Sequence, residues 1–127
     1  MLFDTDVLIW AQRGNGKAID WIEKTPERFI SAQSYMELLQ GATSREWVRI
    51  TKDFLVEGDF RVLPLTEGIG HRALIYIEEY ALLSGMRAGD AIIAATATEN
   101  NLVLATGNRK HFEPVQDLRL RLFKAET

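Results

Sequence analysis

The first ten residues, Met1–Trp10 with the sequence MLFDTDVLIW, place two carboxylates one residue apart in an otherwise apolar stretch. An ionised carboxylate in a dry interior is costly unless it is hydrogen-bonded or paired with a cation. We therefore expect a specific partner for Asp4 and for Asp6. The pattern predicts a short buried strand that turns directly into a helix, with Asp4 at the end of the strand.

The rest of the chain continues this alternation of strands and helices. Further strands are predicted at RFIS, FRVLPL, LVLAT and LRLRLF, the last at an edge. Helices are predicted at KAIDWIEK, at SYMELLQG with Ser34 as N-cap, at SREWVRITKDFLVEG, from Thr66 to Gly85, and at AGDAIIAATATENN. Strands alternating with helices predict a three-layer α/β/α sandwich with a mostly parallel central sheet. The 127 residues suit a single domain, residues 1–127.

Composition excludes several kinds of chemistry. The chain has no cysteine, so disulfides, thiolate zinc sites and cysteine nucleophiles are excluded. No apolar run approaches the ~20 residues of a membrane span, and we expect a cytoplasmic protein. The net charge is −3, with +2 over residues 106–127 and −5 over residues 1–105. Several acids must therefore lie where they either repel a polyanion or bind a cation.

Three acids fall where a parallel sheet collects its ligands, at the carboxyl ends of strands. Asp4 ends the first strand, Glu37 lies in the helix after the second, and Asp90 begins the helix before LVLAT. Each has a local alternative, because Asp4 and Asp90 can cap helices and Glu37 can form a capping box with Ser34. Converging carboxylates repel one another, and a divalent cation such as Mg²⁺ or Mn²⁺ is the simplest common cause.

Two stretches of the sequence are similar to other phosphate-handling motifs. DTDVL is close to the Asp-x-Asp-x-Thr motif of haloacid-dehalogenase-type phosphatases, in which Asp4 would be the nucleophile. Leu8 stands where that motif needs Thr or Val, and no second acid lies four residues after Asp90. RGNGKA is similar to the end of a phosphate-binding loop, but Ala11 and Ala18 replace its first Gly and its Ser or Thr, so that interpretation fails.

Four segments in order resemble the PIN domain, and specifically the VapC-type toxins of VapBC toxin–antitoxin pairs. They are LFDTDVLIW, SYMELLQG, RAGDAIIAATA and LVLATGNRKHF. The resemblance covers almost the whole chain. It implies a metal-dependent endoribonuclease that hydrolyses RNA phosphodiester bonds with a metal-activated water and acts as a toxin.

The resemblance also assigns site residues. Asp4, Glu37 and Asp90 would be the catalytic, metal-binding acids that hold Mg²⁺ or Mn²⁺. The supporting residues would be Asp6, Thr106 and Asn108. Asp6 would be held by backbone N–H groups at the start of the first helix. Where the family pattern often has an aspartate, this chain has Asn108, a neutral amide that cannot serve as an anionic ligand.

The cations that follow Asn108 have two interpretations. Arg109 and Lys110 would bind an RNA phosphate beside a metal site, or form a solvated turn. His111 is expected to have a positional role rather than to act as an acid–base catalyst. His71 is expected at the surface of the long helix.

Relatives of this kind imply partners. A cognate VapB-type antitoxin would place its C-terminal segment in a groove over the acids, lined by KAIDWIEK and REWVRITKDFL. Trp21 and Trp47 would anchor that segment or be buried in the core. A homodimer is also implied, paired through late helices, with AIIAATA allowing close approach or simply packing internally. A non-catalytic PIN-like binding module, in which the acids are only caps, is the alternative from another class.

Overall fold

The structure, a computed structural model, describes residues 1–125, so positions 126 and 127 of the predicted domain lie outside the described residues. Within that range the strands are β1 (Leu2–Phe3), β2 (Arg28–Ser31), β3 (Phe60–Leu63), β4 (Leu104–Thr106) and β5 (Leu120–Leu122). The helices are α1 (Thr5–Gln12), α2 (Gly16–Lys24), α3 (Ala32–Gly41), α4 (Arg45–Glu57), α5 (Glu67–Ser84), α6 (Ala88–Glu99) and α7 (Arg109–Phe112).

The strands form one sheet in the order β3-β2-β1-β4-β5, and every neighbouring pair is parallel. The central strand β1 is in register with both neighbours, with Leu2 opposite Phe29 and Leu104. Parallel neighbours need crossover connections, which helices supply here. The predicted α/β/α sandwich is confirmed, and the sheet described in residues 1–125 is parallel throughout.

Alternation along the strands divides the core into two clusters. Leu2 and Leu104 pack with α5, α6 and Phe112 on one face of the sheet. Phe3 and Ala105 pack with α1, α2, α3 and α4 on the other. Successive strand residues point to opposite faces, so both faces of even these short strands are buried.

The start of α3 differs from the prediction. Its N-cap is Ser31, whose Oγ accepts a hydrogen bond from Ser34 N at 2.9 Å, so the prediction that Ser34 caps the helix is wrong. Ser31 is also the last residue of β2, paired with Leu63, and the chain turns into the helix immediately after it. Glu37 consequently lies in the second turn of α3 rather than in a capping box.

The long helix follows the sequence pattern. Thr66 caps α5 by accepting a hydrogen bond from Ile69 N at 3.2 Å, and Gly85 ends the helix in the left-handed region at φ 75°. Glycine adopts the left-handed region at little cost and is therefore common at the ends of helices. No helix described in residues 1–125 is long and apolar enough to cross a membrane.

Candidate active site

The carboxyl ends of β2, β1 and β4 lie side by side at one edge of the sheet. Asp4 directly follows β1, and α3 with Glu37 directly follows β2. Because α6 leads back into β4, its first turn, which carries Asp90, lies at the same edge. The fold therefore brings the three predicted metal-binding acids to one edge, as the sequence led us to expect.

Asp4 is buried, with 6% of its surface exposed. Its Oδ1 accepts a hydrogen bond from Thr5 N at 2.8 Å, and its Oδ2 accepts one from Thr106 Oγ1 at 2.7 Å. Burial, followed by the charge of Asp6 and a smaller effect of Asp90, raises the pKa of Asp4 to about 7 against the two hydrogen bonds. Asp4 caps α1 as one alternative predicted, yet its two hydrogen bonds do not offset the cost of burying its charge.

Asp6 is held by two backbone amides. Its Oδ1 accepts a hydrogen bond from Val7 N at 2.8 Å, which confirms the prediction that a backbone N–H at the start of the first helix holds this carboxylate. Its Oδ2 accepts a hydrogen bond from Gly107 N at 2.8 Å. A Cβ at position 107 would lie 2.8 Å from that Oδ2, so the contact needs glycine. Burial raises the pKa of Asp6, although both hydrogen bonds lower it. Asp6 thus ties the start of α1 to the loop after β4.

Glu37 is oriented by neutral donors. Its Oε1 accepts from Thr5 Oγ1 at 2.7 Å and its Oε2 from Gln33 Nε2 at 2.9 Å. Thr5 Oγ1 also lies 2.9 Å from Ser34 Oγ. Because the single hydroxyl hydrogen of Thr5 is donated to Glu37, Ser34 is the donor in the hydrogen bond between the two hydroxyls. A Cβ at position 89 would lie 2.8 Å from Glu37 Oε2, so Gly89 allows α6 to approach the carboxylate.

The residues around Glu37 were not singled out by sequence reasoning. Gln33 carried a detectable signal, because it lies one helical turn before Glu37 on the same face. Thr5 stands between Asp4 and Asp6, which is a weaker hint. Nothing local distinguishes Gly89 from any other glycine at a helix start.

Asp90 is the third residue of α6, and its Oδ2 accepts from Arg87 N at 3.1 Å, so the capping contact exists. The same Oδ2 lies 2.8 Å from His111 Nδ1. That nitrogen is also 2.9 Å from Asn108 Nδ2. His111 therefore contacts one of the predicted acids directly, which agrees with the positional role expected of it.

The segment after β4 supplies the remaining predicted residues. Thr106 Oγ1, besides donating to Asp4, accepts from Asn108 N at 3.0 Å. Asn108 caps the short helix α7. Arg109 forms an ion pair with Glu113, whereas Lys110 is exposed. Part of the cationic charge predicted to meet an RNA phosphate is thus already paired within the chain.

The donor set can be compared with the needs of a metal ion. Over residues 1–125, no three Asp, Glu, His or Cys side chains are placed so that together they could hold an ion. Mg²⁺, however, usually keeps several waters and takes only one or two carboxylates directly. The oxygen chemistry of Asp4, Glu37 and Asp90, and the charge effect of Asp90 on Asp4, fit a hydrated Mg²⁺-type ion rather than a closed cage.

A groove of about 460 Å³ lies beside Glu37, between α1, α3 and α4. Its lining includes Ile9, Leu38 and Trp47, and Trp47 is 47% exposed. Trp21 of α2 does not line this groove but stacks on Phe123 with ring centroids 5.9 Å apart. The predicted pair of helices, α2 and α4, instead lines a smaller groove of about 240 Å³ beside Ile19 and Phe54, which contains none of the three acids. Trp21 and Trp47, for which the sequence allowed either antitoxin binding or core burial, thus have different surroundings.

Another cleft of about 460 Å³ lies beside α5 and contains none of the predicted acids. Arg72 there contacts Glu99 and Asp117, each at 2.6 Å. Tyr76 Oη donates to Asp117 at 2.8 Å. Arg72 thus lies between two carboxylates, and these contacts join α5, α6 and the segment before β5, which is a structural role.

Comparison with known families matches residues 1–117 to the PIN domain. The chain belongs to the PIN domain family. It is similar to the ribonuclease VapC10 of Mycobacterium tuberculosis, with 36% identity over 123 residues, covering 94% of this chain and 90% of that protein. The resemblance to VapC-type proteins, first seen in four motifs, is thereby confirmed.

Solved structures agree with this assignment. A toxin–antitoxin complex from Klebsiella pneumoniae has a TM-score of 0.80 at 28% identity, covering 98% of this chain and 97% of that one. VapBC2 from Rickettsia felis, bound to a DNA fragment from their promoter, has a TM-score of 0.82 at 19% identity, covering 97% and 98%. The second likeness concerns the fold alone.

Proposed function

We propose that this protein is a metal-dependent endoribonuclease that hydrolyses RNA phosphodiester bonds and acts as the toxin of a toxin–antitoxin pair. The observation that carries the proposal is the burial of Asp4 at the edge of the sheet where Glu37 and Asp90 also lie. That burial and the charge of Asp6 raise the pKa of Asp4 to about 7. Such an arrangement is stabilised by a bound divalent cation. The PIN family assignment and the similarity to VapC10 give the substrate class.

Asp4, Glu37 and Asp90 would hold Mg²⁺ or Mn²⁺. When bound, the ion supplies charge stabilisation for the phosphoryl oxygens and lowers the pKa of water. Thr106 and Thr5 fix the two oxygens of Asp4, and Thr5 and Gln33 fix those of Glu37. This preorganisation avoids reorientation of the carboxylates as negative charge develops during attack.

The polar residues beside the acids have supporting roles. Asp6 holds the loop after β4 through Gly107, and Thr106 holds Asn108. Lys110, and Arg109 if its pair with Glu113 opens, would attract the RNA phosphate and offset the acidic edge. One of the three acids would orient the attacking water, whose oxygen bonds to phosphorus as the ribose oxygen leaves.

A VapB-type antitoxin is the proposed regulator, and its segment would lie in the groove between α1, α3 and α4. The groove offers the half-exposed Trp47 as an apolar anchor and ends at Glu37, so its occupant would cover one of the acids. Toxin–antitoxin complexes among the structural neighbours support this partner. An RNA-cleaving toxin with such a partner would act in the cytoplasm.

We propose a homodimer that pairs through the outer face of α5 rather than through the AIIAATA segment of α6. The small residues of AIIAATA are buried within this chain, which is the internal-packing alternative. The outer face of α5 instead exposes four large apolar side chains, namely Leu74, Ile75, Leu82 and Leu83, with the exposed Glu78 and Glu79 between them. A cluster of exposed large apolar side chains is typical of a protein interface.

Two other functions have less support from the family and the site. A phosphatase with Asp4 as nucleophile is disfavoured, because the chain belongs to the PIN family and Leu8 breaks the motif. A non-catalytic binding module is consistent with the capping contacts of Asp4 and Asp90. It predicts that neutral replacements of these acids change nothing but stability.

The decisive experiment incubates antitoxin-free protein with a mixed RNA pool in Mg²⁺, Mn²⁺ or EDTA. We expect metal-dependent cut sites with the wild type and none with Asp90→Asn. Asp20→Asn, which alters an exposed acid paired with Lys24 on α2, is the matched control and should cleave normally. A folded Asp90→Asn protein that cleaves like the wild type would refute the proposal.

A further inference from the structure

His111 occupies a defined position between two helices. Its side chain is 22% exposed and that of Asp90 19%. The next residue, Phe112, is fully buried in the core cluster of α5 and α6, which fixes the backbone. The Nε2 edge of the ring lies near Gly85, at the end of α5. The partly buried ring is therefore placed by its fixed backbone together with its polar contacts.

The ring nitrogen Nδ1 faces one hydrogen-bond acceptor and one hydrogen-bond donor. It lies 2.8 Å from Asp90 Oδ2, which can only accept when ionised, and 2.9 Å from Asn108 Nδ2, which donates. If Nδ1 carries a hydrogen, it donates to the carboxylate; if not, its lone pair faces the carboxylate oxygen. A hydrogen bond to an ionised carboxylate is the stronger of the two, so Nδ1–H is the favoured form.

Both donors to Asp90 act on the same oxygen. Arg87 N donates to Oδ2 at 3.1 Å, and His111 reaches that Oδ2 as well. Two donors that converge on Oδ2 restrict rotation of the carboxylate, so Oδ1 is the oxygen expected to face a bound ion. Arg87 is local to α6, whereas His111 comes from the segment after β4 and so sets Asp90 relative to Asp4 and Thr106.

We propose that His111 is a positioning residue for Asp90, which it orients for metal binding through a hydrogen bond from Nδ1–H to Oδ2. This inference rests on the proposed function in taking Asp90 as a metal ligand. Groups that hydrogen-bond a metal ligand typically change metal affinity or activity by about 10–100-fold when they are removed. A purely structural contact would change stability and leave the affinity for metal unaltered.

The test compares His111→Leu, His111→Asn and His111→Gln in the full chain, with His71→Leu as the matched control. The Asn amide nitrogen can take about the place of Nδ1, whereas that of Gln takes the place of Nε2. His71 is exposed and its Nε2 lies 3.7 Å from Glu67 Oε1, away from the predicted acids. The readouts are Mn²⁺ affinity without RNA, measured by electron paramagnetic resonance, and the metal concentration that gives half-maximal RNA cleavage.

We expect His111→Leu and His111→Gln to weaken Mn²⁺ binding at least about 10-fold, and His111→Asn to restore it to within about 3-fold. His71→Leu should bind as the wild type does. The proposal would be overturned if folded His111→Gln bound Mn²⁺ as tightly as the wild type, or if His111→Asn bound it no more tightly than His111→Gln. A wild type that binds no Mn²⁺ would overturn it as well. If the wild type binds Mn²⁺ but cuts no RNA, the nuclease proposal fails while the affinity series still decides the role of His111.

Discussion

Thr106 Oγ1 donates a hydrogen bond of 2.7 Å to Asp4 Oδ2, and so joins the ends of the neighbouring strands β4 and β1. The two residues are far apart in the sequence and meet only because these strands pair. The same hydroxyl accepts from Asn108 N, so one side chain orders both an acid and the loop beside it.

Thr106→Val should therefore weaken both stability and cleavage. The fully buried hydroxyl would be replaced by a methyl group, leaving Asp4 Oδ2 and Asn108 N without this partner. We expect a loss of about 1–3 kcal/mol in the free energy of unfolding, measured by urea denaturation. Thr106→Ser keeps the hydroxyl and should retain most cleavage; equal cleavage by the Val and wild-type proteins would contradict the role of this bond.

Metal-free protein should lose stability as the pH rises from about 4 to 7. The pKa of Asp4 is raised to about 7 in the folded state, so folded protein retains a proton that the unfolded chain has released in this range. The free energy of unfolding then falls with pH, by an amount on the order of 2–4 kcal/mol once Asp4 is fully ionised. The raised pKa of Asp6 acts in the same direction.

Asp4→Asn removes the larger part of this dependence. Asn is also a good N-cap, so the helix start should survive. We expect thermal denaturation in EDTA to show a higher Tm than the wild type at pH 8 and a smaller difference at pH 4, together with loss of cleavage. A wild type whose stability rises between pH 4 and pH 7 would show that other groups dominate.

Metal should stabilise the wild type more at pH 8 than at pH 5. A cation binds the ionised form of Asp4 and relieves its repulsion from Asp6 and Asp90. Adding Mg²⁺ at pH 8 is expected to raise the Tm, since a ligand that binds only the folded state stabilises it. The same titration of Asp4→Asn is the control, and an equal rise in both proteins would place the bound ion elsewhere.

Gly89→Ala should lower RNA cleavage while leaving the stability of the protein unchanged or raised. The new Cβ would lie 2.8 Å from Glu37 Oε2 and 3.2 Å from Gln33 Nε2, so the flexible end of Glu37 must move. Alanine favours the helix by up to about 1 kcal/mol, so stability should hold or rise. Gly70→Ala in α5, where a Cβ meets nothing within 4 Å, is the matched control and should leave RNA cleavage unchanged.

Trp47→Ala should weaken binding of the antitoxin without unfolding the toxin. Trp47 is 47% exposed and lines the groove beside Glu37. Buried aromatic anchors often cost about 2 kcal/mol or more when truncated, roughly a 30-fold loss of affinity by calorimetry. Val56→Ala, at a 78% exposed position of the same helix, should bind normally. Equal affinities of the two variants for the antitoxin would show that the antitoxin does not bind in this groove.

Much of the fold was predictable because its signals are local. Apolar periodicity placed the strands and helices, and Thr66 and Gly85 marked the ends of α5. The N-cap of α3 was predicted incorrectly because two serines compete for it. Pairing of Ser31 with Leu63 at the end of β2 decides between them, and that is a tertiary contact.

The sequence by itself determined the layer architecture, the absence of thiol chemistry and the positions of Asp4, Glu37 and Asp90 at one edge of a parallel sheet. Only the tertiary structure decided how those acids are held: Thr5 on Glu37, Thr106 on Asp4, and His111 on Asp90. Periodicity and capping depend on neighbours a few residues away, whereas these hydrogen bonds join segments that approach each other only after the strands have paired. That is why a local pattern could locate the acids and could not identify their partners.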